Sequence, residues 1–223
     1  MGTQKTPPVE STRELLVLHA VRLKGMADDA EVAARFGLDP ALAAELLLDF
    51  QAVGWLSRFE FAGTAGWALT DSGRAANERQ LADEMATTDS TSTVRGAYLD
   101  FLPHNGPLLK ACTDWQLRPT AADPLAANDH TDPQWDQQVM RTLSSLGEEV
   151  RTLSQTLGGR LVRFQGYDER FRTALSRAEQ GDRSWVAQPR VDSCHTVWME
   201  LHEDLVATLG IQRGAEPTGR ERR

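Results

Sequence analysis

Apolar residues recur at three- and four-residue spacing through three short segments near the start of the chain, and the spacing then falls to two. The first segment, Glu14 to Leu23, places Leu15, Leu18 and Val21 or Arg22 on one helix face, with Ser11 or Thr12 as cap and Gly25 as stop. The second, Asp28 to Phe36, sets Val32 and Phe36 four apart, offers Asp28 or Asp29 as cap with Glu31 in the first turn, and ends at Gly37. Asp39-Pro40 then predicts a cap followed by a proline at the first helical position, where its missing amide hydrogen costs nothing. The third helix, Pro40 to Val53, is expected to bury Leu42, Leu46 or Leu47, Phe50 and Val53, with Gly54 as terminator. Beyond it Trp55 to Phe61 alternates imperfectly, Ala62 to Gly66 supplies two glycines for a turn, and Gly66 to Thr70 reads as a return strand. Thr70 or Asp71 caps a further helix running through Arg74 to Met85.

From Ala86 to Thr93 the chain is polar and poor in helix formers, a linker or a capped break. Helical patterns follow at Val94 to Leu102, Gly106 to Leu117, Pro133 to Leu157, Leu161 to Glu179 and Ser193 to Leu209. The longest carries Val139, Leu143, Leu146, Val150, Leu153 and Leu157 at sustained helical spacing, which suits a bundle or a homodimer seam. Leu117 to Pro133, with three prolines and no periodicity, is a loop, and no strand pattern follows Thr70.

The two helices joined across Gly37-Leu38-Asp39 match the tight turn of a helix-turn-helix, which makes the third helix the recognition helix. The expected fold is mainly α: an N-terminal winged helix-turn-helix of three helices plus a small β-hairpin, then an all-α helical bundle. The expected boundaries are a disordered 1–10, a winged-helix domain 11–86, an all-α sensory or dimerisation domain 94–212 and a flexible tail 213–223. The hairpin closes on Leu69-Thr70-Asp71-Ser72-Gly73-Arg74. With that turn, the stretch resembles the MarR-type and related winged-helix transcriptional regulators. The resemblance implies a homodimer on double-stranded DNA, with Arg35, Arg58 and Arg74 on phosphates and the third helix in the major groove. That helix presents Ala41, Ala44 and Glu45 on its free face.

Charge departs from that expectation. Ser11 to Met85 holds seven basic residues against twelve acidic ones, and between Gly25 and Ser57 Arg35 is the only cation among Asp28, Asp29, Glu31, Asp39, Glu45 and Asp49. DNA affinity comes largely from cations that displace condensed counterions. The whole chain carries −8, and the glycine-rich hairpin turn has no arginine to lay in a minor groove. A second reading therefore stands beside the regulator: a module whose acidic winged helix docks on a protein, such as a metabolic enzyme.

At 223 residues the chain has room for two domains. No apolar run approaches a membrane span and the polar start lacks a signal-peptide core, so the sequence predicts a cytoplasmic protein without a membrane partner. Cys112 and Cys194 form neither a disulfide framework nor a metal motif. No phosphate-cradling glycine loop, GxSxG or HExxH occurs, which argues against an enzyme and against a cofactor or metal.

Two clusters stand out in the C-terminal part: Cys112-Thr113-Asp114-Trp115-Gln116-Leu117-Arg118 with Asn128-Asp129-His130-Thr131-Asp132-Pro133, and Val191 to Leu205. They resemble the helical region appended to some actinobacterial phosphoenolpyruvate-utilising dikinase-like proteins, on the strength of Cys-Thr-Asp-Trp-Gln, Asn-Asp-His and His-Thr-Val-Trp-Met-Glu-Leu-His-Glu-Asp-Leu. That resemblance implies a sensory or regulatory module. A small-molecule effector site would draw on Trp115, Asp129, His130, Trp135, Asp192, His195, Trp198 and His202. A hydrogen-bonded core network and a metal site are the alternatives for the same residues. His195 and His202, two turns or roughly 10.5 Å apart, cannot share one metal alone.

Overall fold

The computed structural model describes residues 7–61 and 64–211. It is mainly helical, with one two-stranded antiparallel sheet. The chain divides into two compact units. Among the described residues, the first holds residues 7–94 together with Gly159–Arg163 and residues 203–211, and the second holds Arg95–Gly158 and Phe164–His202. A break near residue 90 was expected. The return of two later segments to the first unit was not, because nothing in a local apolar pattern reports a contact made 100 residues away.

In the first unit α1 (Arg13–Lys24) is capped by Thr12 and closed by Gly25, and α2 (Asp29–Phe36) opens on a reciprocal capping box between Asp28 and Glu31. Gly37 ends α2 in the left-handed conformation, where a side chain would be strained. α3 (Pro40–Ala52) takes its cap from Asp39 and places proline in its first turn. α3 buries Ala43, Leu47 and Phe50, and leaves Leu48 and Val53 exposed. Val53 was expected inside, but it is the C-cap residue and lies past the last helical turn.

β1 (Leu56–Phe61) pairs antiparallel with β2 (Thr64–Leu69), from Leu56 opposite Leu69 to Phe61 opposite Thr64. The turn is thus shorter than the Ala62 to Gly66 stretch expected, and its Ala62 and Gly63 lie outside the described residues. A third backbone contribution has no sequence signature: Ala27, between α1 and α2, exchanges two hydrogen bonds with Trp67 on β2 at 3.1 and 2.7 Å. Trp67 is fully buried and its indole donates to Asp29 at 2.6 Å.

The turn into α4 (Asp71–Ala86) explains the residues of the Leu-Thr-Asp-Ser-Gly-Arg stretch. The Thr70 hydroxyl accepts from the Gly73 amide at 3.0 Å, capping α4, and donates to the Gly54 carbonyl at 2.7 Å. Ser72 donates to the same carbonyl at 2.8 Å. Gly73 is required because a Cβ there would stand 1.9 Å from the Trp55 carbonyl oxygen.

A buried ionic network joins the distant segments of this unit. Arg163 donates through Nε to Glu84 at 2.9 Å, through Nη1 to Asp204, and through Nη2 to Thr208 at 2.8 Å. His19 on α1 meets the same Asp204 oxygen at 3.1 Å and Asn77 of α4 at 3.2 Å. Ser11 donates to Glu84, and Val9 brackets Leu161 by hydrogen bonds to Arg160 and Val162 at 2.8 and 2.9 Å. Val9 fell within the stretch expected to be disordered; its backbone is paired. Met1 to Thr6 and the tail from Gln212 lie outside the described residues. Burial by itself would raise the Asp204 carboxyl, but the charges of Arg163 and His19 outweigh it and hold Asp204 well below the usual carboxylate range.

The second unit contains most of α5 (Thr91–Phe101), then α6 (Asn105–Gln116), α7 (Pro133–Gly158), α8 (Tyr167–Glu179), the short α9 (Ser184–Ala187) and α10 (Cys194–Thr208) as far as His202. The apolar stripe of α7 buries all six residues named from the sequence. It packs on α6 and α8, and Gly147 lets the Phe171 ring approach to what would be 3.4 Å from a Cβ. The single helix expected over Leu161 to Glu179 is broken: Val162–Phe164 form a 3-10 turn and Gly166, at φ +86°, resets the direction before α8. No helix among the described residues is long and apolar enough to cross a membrane.

Two tests follow from this packing. Gly73→Ala should lower the thermal midpoint sharply, by about 1–3 kcal/mol or more of overpacking strain, whereas Gly96→Ala, with open space around it, should be neutral or slightly stabilising. Arg163→Met should cost about 3–5 kcal/mol in urea titrations, because it strands two buried carboxylates. The depressed Asp204 value sets the sign with pH. Its stabilisation is complete above the unfolded carboxylate value of about 3.9 and drains away as pH falls towards the folded value. Asp204→Asn should therefore flatten the acid limb of the stability profile below about pH 4; an unchanged limb would remove Asp204 from the account.

Candidate functional site

Two features merit attention, one in each unit. In the first, helical spacing places Ala41, Glu45, Leu48 and Ala52 in one solvent-facing stripe of α3, with Asp49 and Gln51 beside it and Val53 at its end. Leu48 is 57% exposed and Val53 61%. On β1, Phe59 is also exposed at 52%.

The three arginines assigned to phosphates are placed differently. Arg35 is buried, with its guanidinium 4.4 Å from the Phe36 ring centre and its charge acting on Asp204. Its expected role at a phosphate is corrected: α2 turns it towards the interior, where it balances a buried carboxylate. Arg58 is exposed over the Trp67 ring at 5.3 Å, and Arg74 is exposed with Nη1 3.8 Å from Glu203. Ala41 and Glu45 are exposed, whereas Ala44, also expected on the free face, is half-buried.

In the second unit a cleft of about 430 Å³ opens between the end of α6, the loop after it and α9. Its floor is a hydrogen-bonded set from the Asn-Asp-His stretch. The two amide hydrogens of Asn128 go to the Trp115 carbonyl at 3.2 Å and to Asp136 at 3.0 Å, and its oxygen accepts from the His130 amide at 3.0 Å. That last bond holds His130 at φ +59°, in the left-handed region. The imidazole Nδ1 lies 2.9 Å from Asp136. With both Asn128 hydrogens used, the proton between the ring and Asp136 resides on Nδ1, so Nε2 is an acceptor in the neutral ring. The ring packs against Trp115 at 4.6 Å, and the indole of Trp115 donates to the Arg183 carbonyl at 3.2 Å.

The remaining effector residues are dispersed. Asp129 is exposed and turned back on Thr131, whose hydroxyl and amide hold its carboxyl below the usual range. Trp135 donates to the Asp114 carbonyl at 2.6 Å, and Asp192 pairs with Arg170 at 2.8 Å. Trp198 is fully buried, stacks on Phe101 at 4.5 Å and donates to Asn105 at 2.7 Å. His202 stacks on the same Phe101, so these two form core, as the alternative reading of the cluster allowed. His195 is half-buried on α10, and burial pushes its pKa down. Of the eight residues, Trp115 and His130 alone line the cleft. The expected single site is therefore corrected: Asp192 precedes α10, and the buried face of α10 turns Trp198 inward.

Asn128, Asp136 and Arg183 complete the arrangement. Asn128 was visible as a neighbour of His130, whereas Arg183, 53 residues beyond His130, carried no signal. Cys112 and Cys194 are buried free thiols, pushed by burial up to about 11 and about 12, and are therefore unreactive at neutral pH. Among the described residues no group of three or more metal-ligating side chains occurs.

Comparison with protein-family models, with curated proteins and with solved structures found no match.

Asn128→Ala should destabilise the second unit by about 1–3 kcal/mol, since it leaves the Trp115 carbonyl and the His130 amide without their partner. Near-ultraviolet circular dichroism of the Trp115 environment during thermal unfolding reads the effect, and an unchanged midpoint would show that the loop is held by other contacts.

Proposed function

We propose that residues 13–86 form a winged helix-turn-helix and that the chain is a regulatory protein whose α3 face docks a protein partner. The observation that carries this reading is the face itself. It exposes Ala41, Leu48 and Val53 flanked by Glu45 and Asp49, and the one cation between Gly25 and Ser57 is buried. Large apolar side chains exposed beside carboxylates suit the apolar centre and polar rim of a protein interface. They suit a phosphate backbone poorly, since like charge repels and Leu48 gains nothing from it. The matching partner presents an apolar ridge with lysines or arginines at its edge.

Helix order, the short α2–α3 turn at Gly37 and the hairpin capped through Thr70 support the winged-helix assignment. One observation favours a second reading, the double-stranded DNA regulator. Arg58 and Arg74 are exposed at the hairpin and at the start of α4, where they can meet phosphates if a homodimer supplies two such heads.

The docking reading predicts that Leu48→Glu and the pair Glu45→Lys with Asp49→Lys each reduce capture of the partner from native extract at least tenfold, while Arg58→Ala leaves it unchanged. Equal capture by all variants would contradict it, and so would loss on Arg58→Ala alone.

A further inference from the structure

The cleft of the second unit stands apart from the question of what α3 binds. Its volume of about 430 Å³ falls in the range of small-molecule sites. Three chemically distinct groups line it. His130 offers Nε2, which has no hydrogen-bond partner among the described residues, as an acceptor whose tautomer is fixed by Asp136. Arg183 lines it as well, and this exposed residue has no carboxylate partner among the described residues. Trp115, Ala187 and Pro189 supply apolar wall.

The imidazole is expensive to hold in this way. It takes a residue at positive φ, an Asn128 with every amide hydrogen committed, and a carboxylate half-sheltered behind it. Groups ordered behind a ring that leave its other nitrogen without a protein partner can orient that nitrogen for a ligand. A core network would have closed Nε2 as well, as Trp198 is closed on Asn105.

We infer that this cleft binds a small planar organic acid, an aromatic or heteroaromatic carboxylate carrying an N–H or O–H donor. The donor is received by His130 Nε2, the carboxylate pairs with Arg183, and the ring lies along Trp115 and Pro189. An uncharged ligand would leave Arg183 without a role, and a purely aliphatic acid would forgo the flat walls.

The probes are 4-aminobenzoate and indole-3-carboxylate, titrated into the full chain labelled with ¹⁵N-histidine. Both acids should shift the His130 Nε2 resonance saturably and give one site by calorimetry. Benzoate, which lacks the donor, and the methyl esters, which lack the charge, should each bind roughly tenfold more weakly. Arg183→Gln, at an exposed position, should weaken both acids by a similar factor and leave the esters unaffected. The inference is overturned if neither acid shifts His130 at millimolar concentration, if esters bind as tightly as acids, or if Arg183→Gln changes nothing.

Discussion

The first unit depends on one guanidinium. Arg163, at the end of the five-residue segment Gly159–Arg163, meets Glu84 of α4, Asp204 of α10 and Thr208 with its three nitrogens. An arginine sealed from water is tolerable only when each donor direction is answered, and its fork geometry makes this possible where a lysine would fail. His19 from α1 and the charge of Arg35 from α2 complete the balance around Asp204. Five parts of the chain that share no local pattern therefore meet in one charged cluster. Such a cluster contributes less to net stability than to uniqueness of arrangement, because the desolvation of its members offsets much of their attraction.

That constraint has a consequence for the surface. Arg35 would be the natural phosphate contact of the proposed helix-turn-helix, yet it is buried, with its guanidinium over the Phe36 ring and its charge a minor contributor at Asp204. What remains outside on α3 is small, apolar and acidic. With Arg35 buried and no lysine or arginine in α3 itself, the face carries no positive charge, in keeping with the proposed partner.

Local structure was legible where a single residue type decides a single geometry. Asp39 was readable as a cap, Asp28 and Thr70 each as one of two adjacent candidates, Gly37 as a stop, Pro40 as a helix start, and the stripe of α7 as buried, because each follows from hydrogen bonding or period over a few residues. The break at Gly166 was missed because apolar spacing continues across it. The pairing of Ala27 with Trp67, the return of Gly159–Arg163 and the burial of Arg35 were invisible for a different reason: they are tertiary facts in which charge and backbone complement distant groups. At the candidate sites, the Trp115 and His130 pairing was anticipated by composition. The separation of Trp198 and His202 from it was not, since helical spacing says which residues share a side and not whether that side faces solvent.

The α3 face of the first unit is proposed to meet protein and not nucleic acid. Fluorescence anisotropy of the full chain against a random-sequence duplex and the duplex upstream of its own coding region, across a salt series, tests it most directly. The account predicts no binding to either duplex at low salt by a folded sample. Tight binding to the upstream duplex that weakens steeply with salt would contradict it and restore the DNA-reading head.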